Sequence, residues 1–253
     1  MELTENGQIL LPQVHSLLDA AGDLRQRAMS MKRGGGETVT IGLNASPVFL
    51  QVGPINHRLS LLYSDLNAIF LTSQSVSTAL MLRQNKIDLG FFYGQIFSND
   101  IQYITVSQVR FCVVAPSRLI TDQMPKDWAE LATMPWIWVD KNSPPYMEVA
   151  ERLARHKLIP NQFVTTEDEY VVKELVTEGQ GVALMREDEA RPMVEAGQLV
   201  IWEKGWISLP LGLAWMESRA AEKRIQAARD VVRYVWQSPT SESKDLLSDK
   251  YWV

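Results

Sequence analysis

From Thr38 onward, short apolar runs alternate with segments of helical periodicity, and this alternation restricts the fold more than any other feature of the chain. It begins at TVTIGLNASPVFL (38–50), where Val39, Ile41 and Leu43 alternate over a strand at 38–43. A loop follows, and the pattern predicts a helix over 47–62, entered at Ser46-Pro47. Strand 67–72, helix 75–84 and strand 87–92 come next. Strands that alternate with helices imply a mostly parallel sheet with right-handed crossovers. Two further strands are expected at 101–106 and 109–115. The segment APSRLITDQMPKDWAEL, with Pro116 and Pro125, reads as irregular chain crossing into a second lobe.

That lobe opens with strand 136–139 (WIWV) and a helix entered at Ser143-Pro144, followed by strand 162–165. Helix 167–178 is bounded by a T-x-x-E capping box, Thr166 with Glu169, and by Gly179 at the C-terminal cap. Strand 181–185, an acidic helix near 187–195 and strand 198–202 follow. LPLGLAW (209–215) is read as the return strand. A last helix over 218–236 starts at Ser218 and buries Ile225, Ala228, Val232 and Val235.

Ahead of this body, Leu10, Val14, Leu17, Ala21, Leu24, Ala28 and Met31 form an a/d heptad seam on a helix over 8–33. A seam that narrow suits pairing with another helix. Gly34-Gly35-Gly36 then ends the helix and acts as a hinge. The net charge of −5 gives no basic footprint for nucleic acid. One cysteine, Cys112, excludes an intrachain disulfide and a Cys-rich metal site. No apolar run reaches the roughly 18 residues of a membrane span, and no secretory signal is evident, so the expectation is a soluble, cytoplasmic protein.

Catalytic chemistry is poorly supported. His15, His57 and His156 stand far apart, and none pairs with another histidine or a cysteine at metal-ligand spacing. There is no nucleophile elbow, P-loop or dinucleotide fingerprint, so no catalytic residue, metal or cofactor is assigned. Cys112 lies in the apolar run VRFCVVA and reads as a small hydrophobe. Acids in EDE (167–169) and REDE (186–189) suit first helical turns, where the dipole favours them. Binding is better supported. Ser46, Ser73 or Ser75, Ser143 and Thr166 each stand between a predicted strand and a predicted helix, where ligands of α/β sheets collect. Helix starts offer backbone N–H groups to an anion, although Ser and Thr also serve as plain caps. Tyr93 and Phe92 close their strand as a possible apolar wall, and Trp136 and Trp138 read as core.

With these pieces placed, the chain resembles the LysR-type transcriptional regulators without most of their winged helix-turn-helix. LTENGQILLPQV is similar to the run into the family's linker helix, and ETVTIGLNASP to the first strand of its effector domain. RQNKIDLGFF, LVTEGQGVALM and LPLGLAWMESRAAEKRIQAARDVVRYV resemble later family signatures in order and spacing. Ser64 and Met185 depart from it, standing where prolines are common. The resemblance implies two Rossmann-like lobes joined by two crossings, as in periplasmic binding proteins, preceded by a long linker helix. It implies a division into 1–36 (linker), 37–115 with 216–240 (lobe I), 116–215 (lobe II) and a tail at 241–253. It further implies a small effector between the lobes (the serine-capped helix starts lean toward an anion), a homodimer or homotetramer, and DNA contact only through the winged helix-turn-helix. By position, the effector contacts would be Asn44, Ala45, Ser46, Ser73, Gln74, Asn142, Ser143, Pro144 and Thr166, to which the strand-end reading adds Tyr93. Two other classes stay open: a free solute-binding protein of the same fold, and an enzyme working through Cys112.

Overall fold

In a computed structural model of the chain, the residues described are 4, 6, 10, 14, 36–120, 124–139 and 142–237. Most of the helix expected over 8–33, with His15 and Gly34-Gly35, and the tail at 241–253 lie outside the described residues.

The first half of the body follows the alternation closely. Strand β1 (Glu37–Leu43) leads to helix α1 (Val52–Leu62), β2 (Leu66–Thr72), α2 (Ser75–Arg83) and β3 (Leu89–Tyr93). β1 pairs in parallel with β2 and with β3. Helix α1 starts later than expected: Gln51 adopts φ 56, a left-handed conformation, so residues 47–51 form turns ahead of the helix.

The expected pair of strands at 101–106 and 109–115 is one long strand, β4 (Ile101–Pro116). Its register shifts between Thr105 and Ser107, and this bulge is what the sequence pattern shows as a gap. β4 pairs antiparallel with β9 (Ile207–Met216) along most of its length. β9 is also antiparallel to β3, so the sheet is mixed rather than mostly parallel. Gly212 of β9 is required there, because a Cβ would lie 2.4 Å from the Phe92 ring.

The second lobe is inserted between these two long strands. Helix α3 (Trp128–Thr133) stands in the segment read as irregular, capped by Asp127, which accepts from the Ala129 and Glu130 N–H groups. Then come β5 (Pro135–Val139), α4 (Pro144–Arg155), β6 (Asn161–Thr166), α5 (Glu169–Thr177), β7 (Ala183–Arg186), α6 (Glu187–Glu195) and β8 (Leu199–Ile201). β5 and β6 are parallel, and a single parallel bridge, Trp136 to Val182, ties β5 to the approach of β7. β7 and β8 pair antiparallel with the last residues of β4. The expected two-lobed α/β body is therefore present, with β4 and β9 shared between the lobes.

The final helix, α7 (Lys223–Gln237), begins after a short 3-10 turn at Glu217–Arg219 instead of at Ser218. It buries Ile225, Ala228, Val232 and Val235 against Val39, Ile41, Ile55 and Leu59. Each large aliphatic side chain so buried contributes about 1.5–3 kcal/mol. The start of α7 is also held by charge. Asp88 accepts from Thr40 N–H at 2.8 Å and from Arg219 at 2.5 Å. Arg219 also meets Glu222 at 2.7 Å, and Arg224 donates to the Thr38 carbonyl at 2.8 Å. Arg219 holds the Glu222 carboxyl below the usual glutamate range, against the opposing effect of its partial burial. A lowered folded-state value means that this stabilisation is full above the ordinary range and fades as the carboxyl is protonated. Arg219→Ala is therefore expected to cost about 1–2 kcal/mol at pH 7, since the network is partly buried and Arg224 still faces both acids. Urea unfolding at pH 7 and again below about pH 4 checks this, the deficit shrinking at the lower pH.

Candidate functional site

The parallel strands β1, β2 and β3 end on one wall of a cleft, and β5, β6 and β7 end on the other. This is the edge of an α/β sheet where loops are free to bind. The cleft holds a cavity of about 490 Å³, well within the range of small-molecule pockets.

On the first wall, three loops are tied through Ser75. Its hydroxyl accepts from the Tyr93 backbone N–H at 3.0 Å and from Asn44 Nδ2 at 3.1 Å. Asn44, Ala45, Ser46, Ser73, Gln74 and Tyr93 all line the cavity, as do Ser143 and Pro144 opposite. Asn142 and Thr166 do not lie among its lining residues. Thr166 instead accepts from the Asp168 N–H at 3.2 Å, and Asp168 rather than Thr166 caps α5, its carboxylate taking the Tyr170 N–H at 2.8 Å. The expected serine caps are also altered. Ser46 takes the Phe49 N–H within a turn, Gln74 caps α2, and Ser143 precedes α4 without a side-chain cap bond. Since α4 opens with Pro144-Pro145, its first two positions carry no N–H to offer an anion.

The group absent from the sequence reading is Arg186, whose side chain is 2% exposed. It ends β7 and lines the cavity. Its guanidinium meets Glu169 at 2.8 Å, Asp188 at 3.1 Å and Glu189 at 2.6 Å. Its face lies over the Phe49 ring, 4.1 Å from the centroid. Burial alone would lower its affinity for the proton, but the surrounding carboxylates more than offset this and keep it charged. Burial pushes the Glu169 carboxyl up, opposed by Arg186 and by the Ser46 backbone N–H from the other lobe. Burial likewise holds the Tyr93 phenol well above its usual value. A second bridge spans the cleft: Gln74 Nε2 donates to Glu167 at 3.1 Å. The signal available in the sequence was REDE itself, read as a helix start when its arginine ends a strand.

Three polar atoms along this lining, Asn44 Oδ1, Ser73 Oγ and the Tyr93 hydroxyl, are buried with no hydrogen-bond partner. Buried polar groups are rarely left this way unless a site awaits a ligand or water. Phe92, by contrast, packs in the core, as do Trp136 and Trp138. Cys112 is fully buried and does not line the cavity, and burial pushes its thiol up to about 12. Native protein should thus leave Cys112 unmodified by an aromatic disulfide reagent at pH 8, whereas urea-unfolded protein should react completely.

Arg186→Met would leave three carboxylates facing one another, at a cost of about 3 kcal/mol at pH 7. The folded-state Glu169 value already lies above its unfolded one and would rise further without the arginine. The penalty is then absent below the ordinary glutamate range and grows as pH rises through the folded value. Urea unfolding should therefore show a smaller deficit at about pH 4.5 than at pH 7.

Comparison with known proteins agrees with this geometry. The family described as the LysR substrate binding domain matches residues 32–237. The regulatory domain of HypT from Salmonella typhimurium, in its apo form, shares 16% identity, with a TM-score of 0.65 over 79% of this chain and 96% of its own. The CcmR regulatory domain of Synechocystis PCC6803, solved in complex with 2-PG, shares 12% identity, with a TM-score of 0.66 over 80% and 98%. Full-length CbnR, solved with its target DNA, shares 12% identity, with a TM-score of 0.64 over 94% and 85%. These identities carry the fold alone. No curated protein matches the chain.

Proposed function

The chain belongs to the LysR substrate binding domain family, and from that premise we propose that it is the ligand-sensing and oligomerising part of a LysR-type transcriptional regulator. The observation that carries the reading is the interlobe cavity, whose walls come from both lobes and are joined by the Gln74–Glu167 hydrogen bond and by Arg186 stacked over Phe49. A small effector seated there touches both lobes at once and favours one lobe arrangement over others. A ligand shifts such an equilibrium only by its differential affinity for the two arrangements. That shift would pass to DNA-binding domains, the chain acting in the cytoplasm as a homodimer or homotetramer. The division at 37–115 with 216–240 and 116–215 is our reading of the lobes, with β4 and β9 shared between them. Among the expected contacts we retain Asn44, Ala45, Ser46, Ser73, Gln74, Tyr93, Ser143 and Pro144 as effector-facing residues, since each lines the cavity.

The test is a thermal-shift screen of small polar metabolites on wild-type protein and on Ser75→Ala, which removes the acceptor that ties Asn44 to Tyr93. A specific effector at about a hundred times its Kd stabilises the fold by about 2.7 kcal/mol. For a body of this size that raises Tm by roughly 5–10 °C. The expected result is a shift in wild type that is much reduced in Ser75→Ala. A shift of equal size in both proteins would place the ligand elsewhere and overturn the reading.

A further inference from the structure

We propose that the interlobe cavity takes a small ligand bearing a protonated amine, not a simple carboxylate. The inference rests on the effector-site reading above and deepens it. It begins with charge. The ionisable lining of the cavity comprises Glu167, Asp168, Glu169, Glu189 and one cation, Arg186, apart from the phenols of its tyrosines. Arg186 is already spent: Glu169 and Glu189 occupy its guanidinium nitrogens at 2.8 and 2.6 Å, Asp188 adds a third carboxylate at 3.1 Å, and its face is covered by Phe49. An incoming carboxylate would meet surplus negative charge with no free cation to answer it.

Two of the helix starts on the cleft are equally closed to an anion. The proline pair removes the first N–H groups of α4, and at α5 the Asp168 carboxylate already takes the Tyr170 N–H.

Of the unpartnered atoms on the lining, one distinguishes the two charges, because the hydroxyls can donate or accept and the amide oxygen only accepts. Tyr93 is 8% exposed and Ser73 7%, both line the cavity, and neither hydroxyl has a hydrogen-bond partner, although the Arg186 guanidinium lies near the Tyr93 phenol. Asn44 Oδ1, the third unpartnered atom, can only accept. An ammonium presents three donors and no acceptor, which complements an acceptor-rich, acid-lined wall. A carboxylate presents acceptors only, so the two hydroxyls could donate to it but Asn44 Oδ1 and the acids would be left facing it. Glu167, exposed at the mouth and held to Gln74 across the cleft, is placed to exchange that amide for an ammonium as a ligand settles between the lobes.

The experiment compares two four-carbon probes, 1,4-diaminobutane and succinate, by thermal shift and titration calorimetry at low salt. It uses the full chain as wild type, Glu167→Gln and Tyr93→Phe. Glu167→Gln keeps the side-chain shape and removes one charge at an exposed position, so folding is preserved. The expected result is saturable diamine binding to wild type, weakened about tenfold in Glu167→Gln and measurably in Tyr93→Phe, with no response to succinate. Diamine binding of equal strength in all three proteins would be diffuse attraction to a chain of net charge −5, and would overturn the proposal. Succinate binding that is tighter than diamine binding and lost in Tyr93→Phe would overturn it while leaving the cleft as the effector site. Silence from both probes would overturn the amine assignment, and the metabolite screen would then decide the effector-site reading separately.

Discussion

The antiparallel pairing of β4 with β9 is the constraint on which the rest of the molecule depends. Both strands are long enough to serve two lobes. The first residues of β4 lie beside the part of β9 that also carries β3, and its last residues carry β7 and β8. One apolar core follows them, running from Val39 and Ile225 in the first lobe to Trp136 and Leu153 in the second. The cleft lies between lobes that share a sheet, so its two walls are positioned by the same hydrogen-bonded ladder.

Where structure is dictated by local pattern, it was legible in the residues. Val39, Ile41 and Leu43 alternate and are buried, the acidic helix runs over Glu187–Glu195 as expected, and Gly179, with φ +70, ends α5. What escaped was set by distant partners. The bulge at Thr105/Ser107 interrupts periodicity without ending the strand, because β9 continues to pair on both sides of it. The antiparallel placement of β9 depends on Gly212 admitting the Phe92 ring, and no local signal marks that. The short helix at Trp128–Thr133 was legible in principle. Asp127 and Glu130 form its cap, with Glu130 accepting from the Lys126 N–H at 2.8 Å.

The site shows the same division. Loop residues after strands were found by topology, and Asn44, Ser46, Ser73, Gln74 and Tyr93 meet in one cavity. Arg186 was missed because an arginine followed by three acids looks like a solvated helix start. Only the fold shows it buried at a strand end, with Asp188 and Glu189 folded back upon it and Glu169 brought to it from another helix. The carboxylates that surround it neutralise the one cation of the lining. Serine-rich loops suggest an anion site, whereas the assembled lining is acidic and rich in acceptors.

The insertion of the second lobe between β4 and β9 has a mechanical consequence. β1 and α7, which open and close the described body, belong to the same lobe, where Arg224 bonds the Thr38 carbonyl. Tension arriving from the segment before β1 therefore enters the lobe that holds α7, and reaches the other only through β4, β9, the core between them and the contacts across the cleft. Any strain between the lobes must pass through that shared ladder, the core that follows it and those contacts.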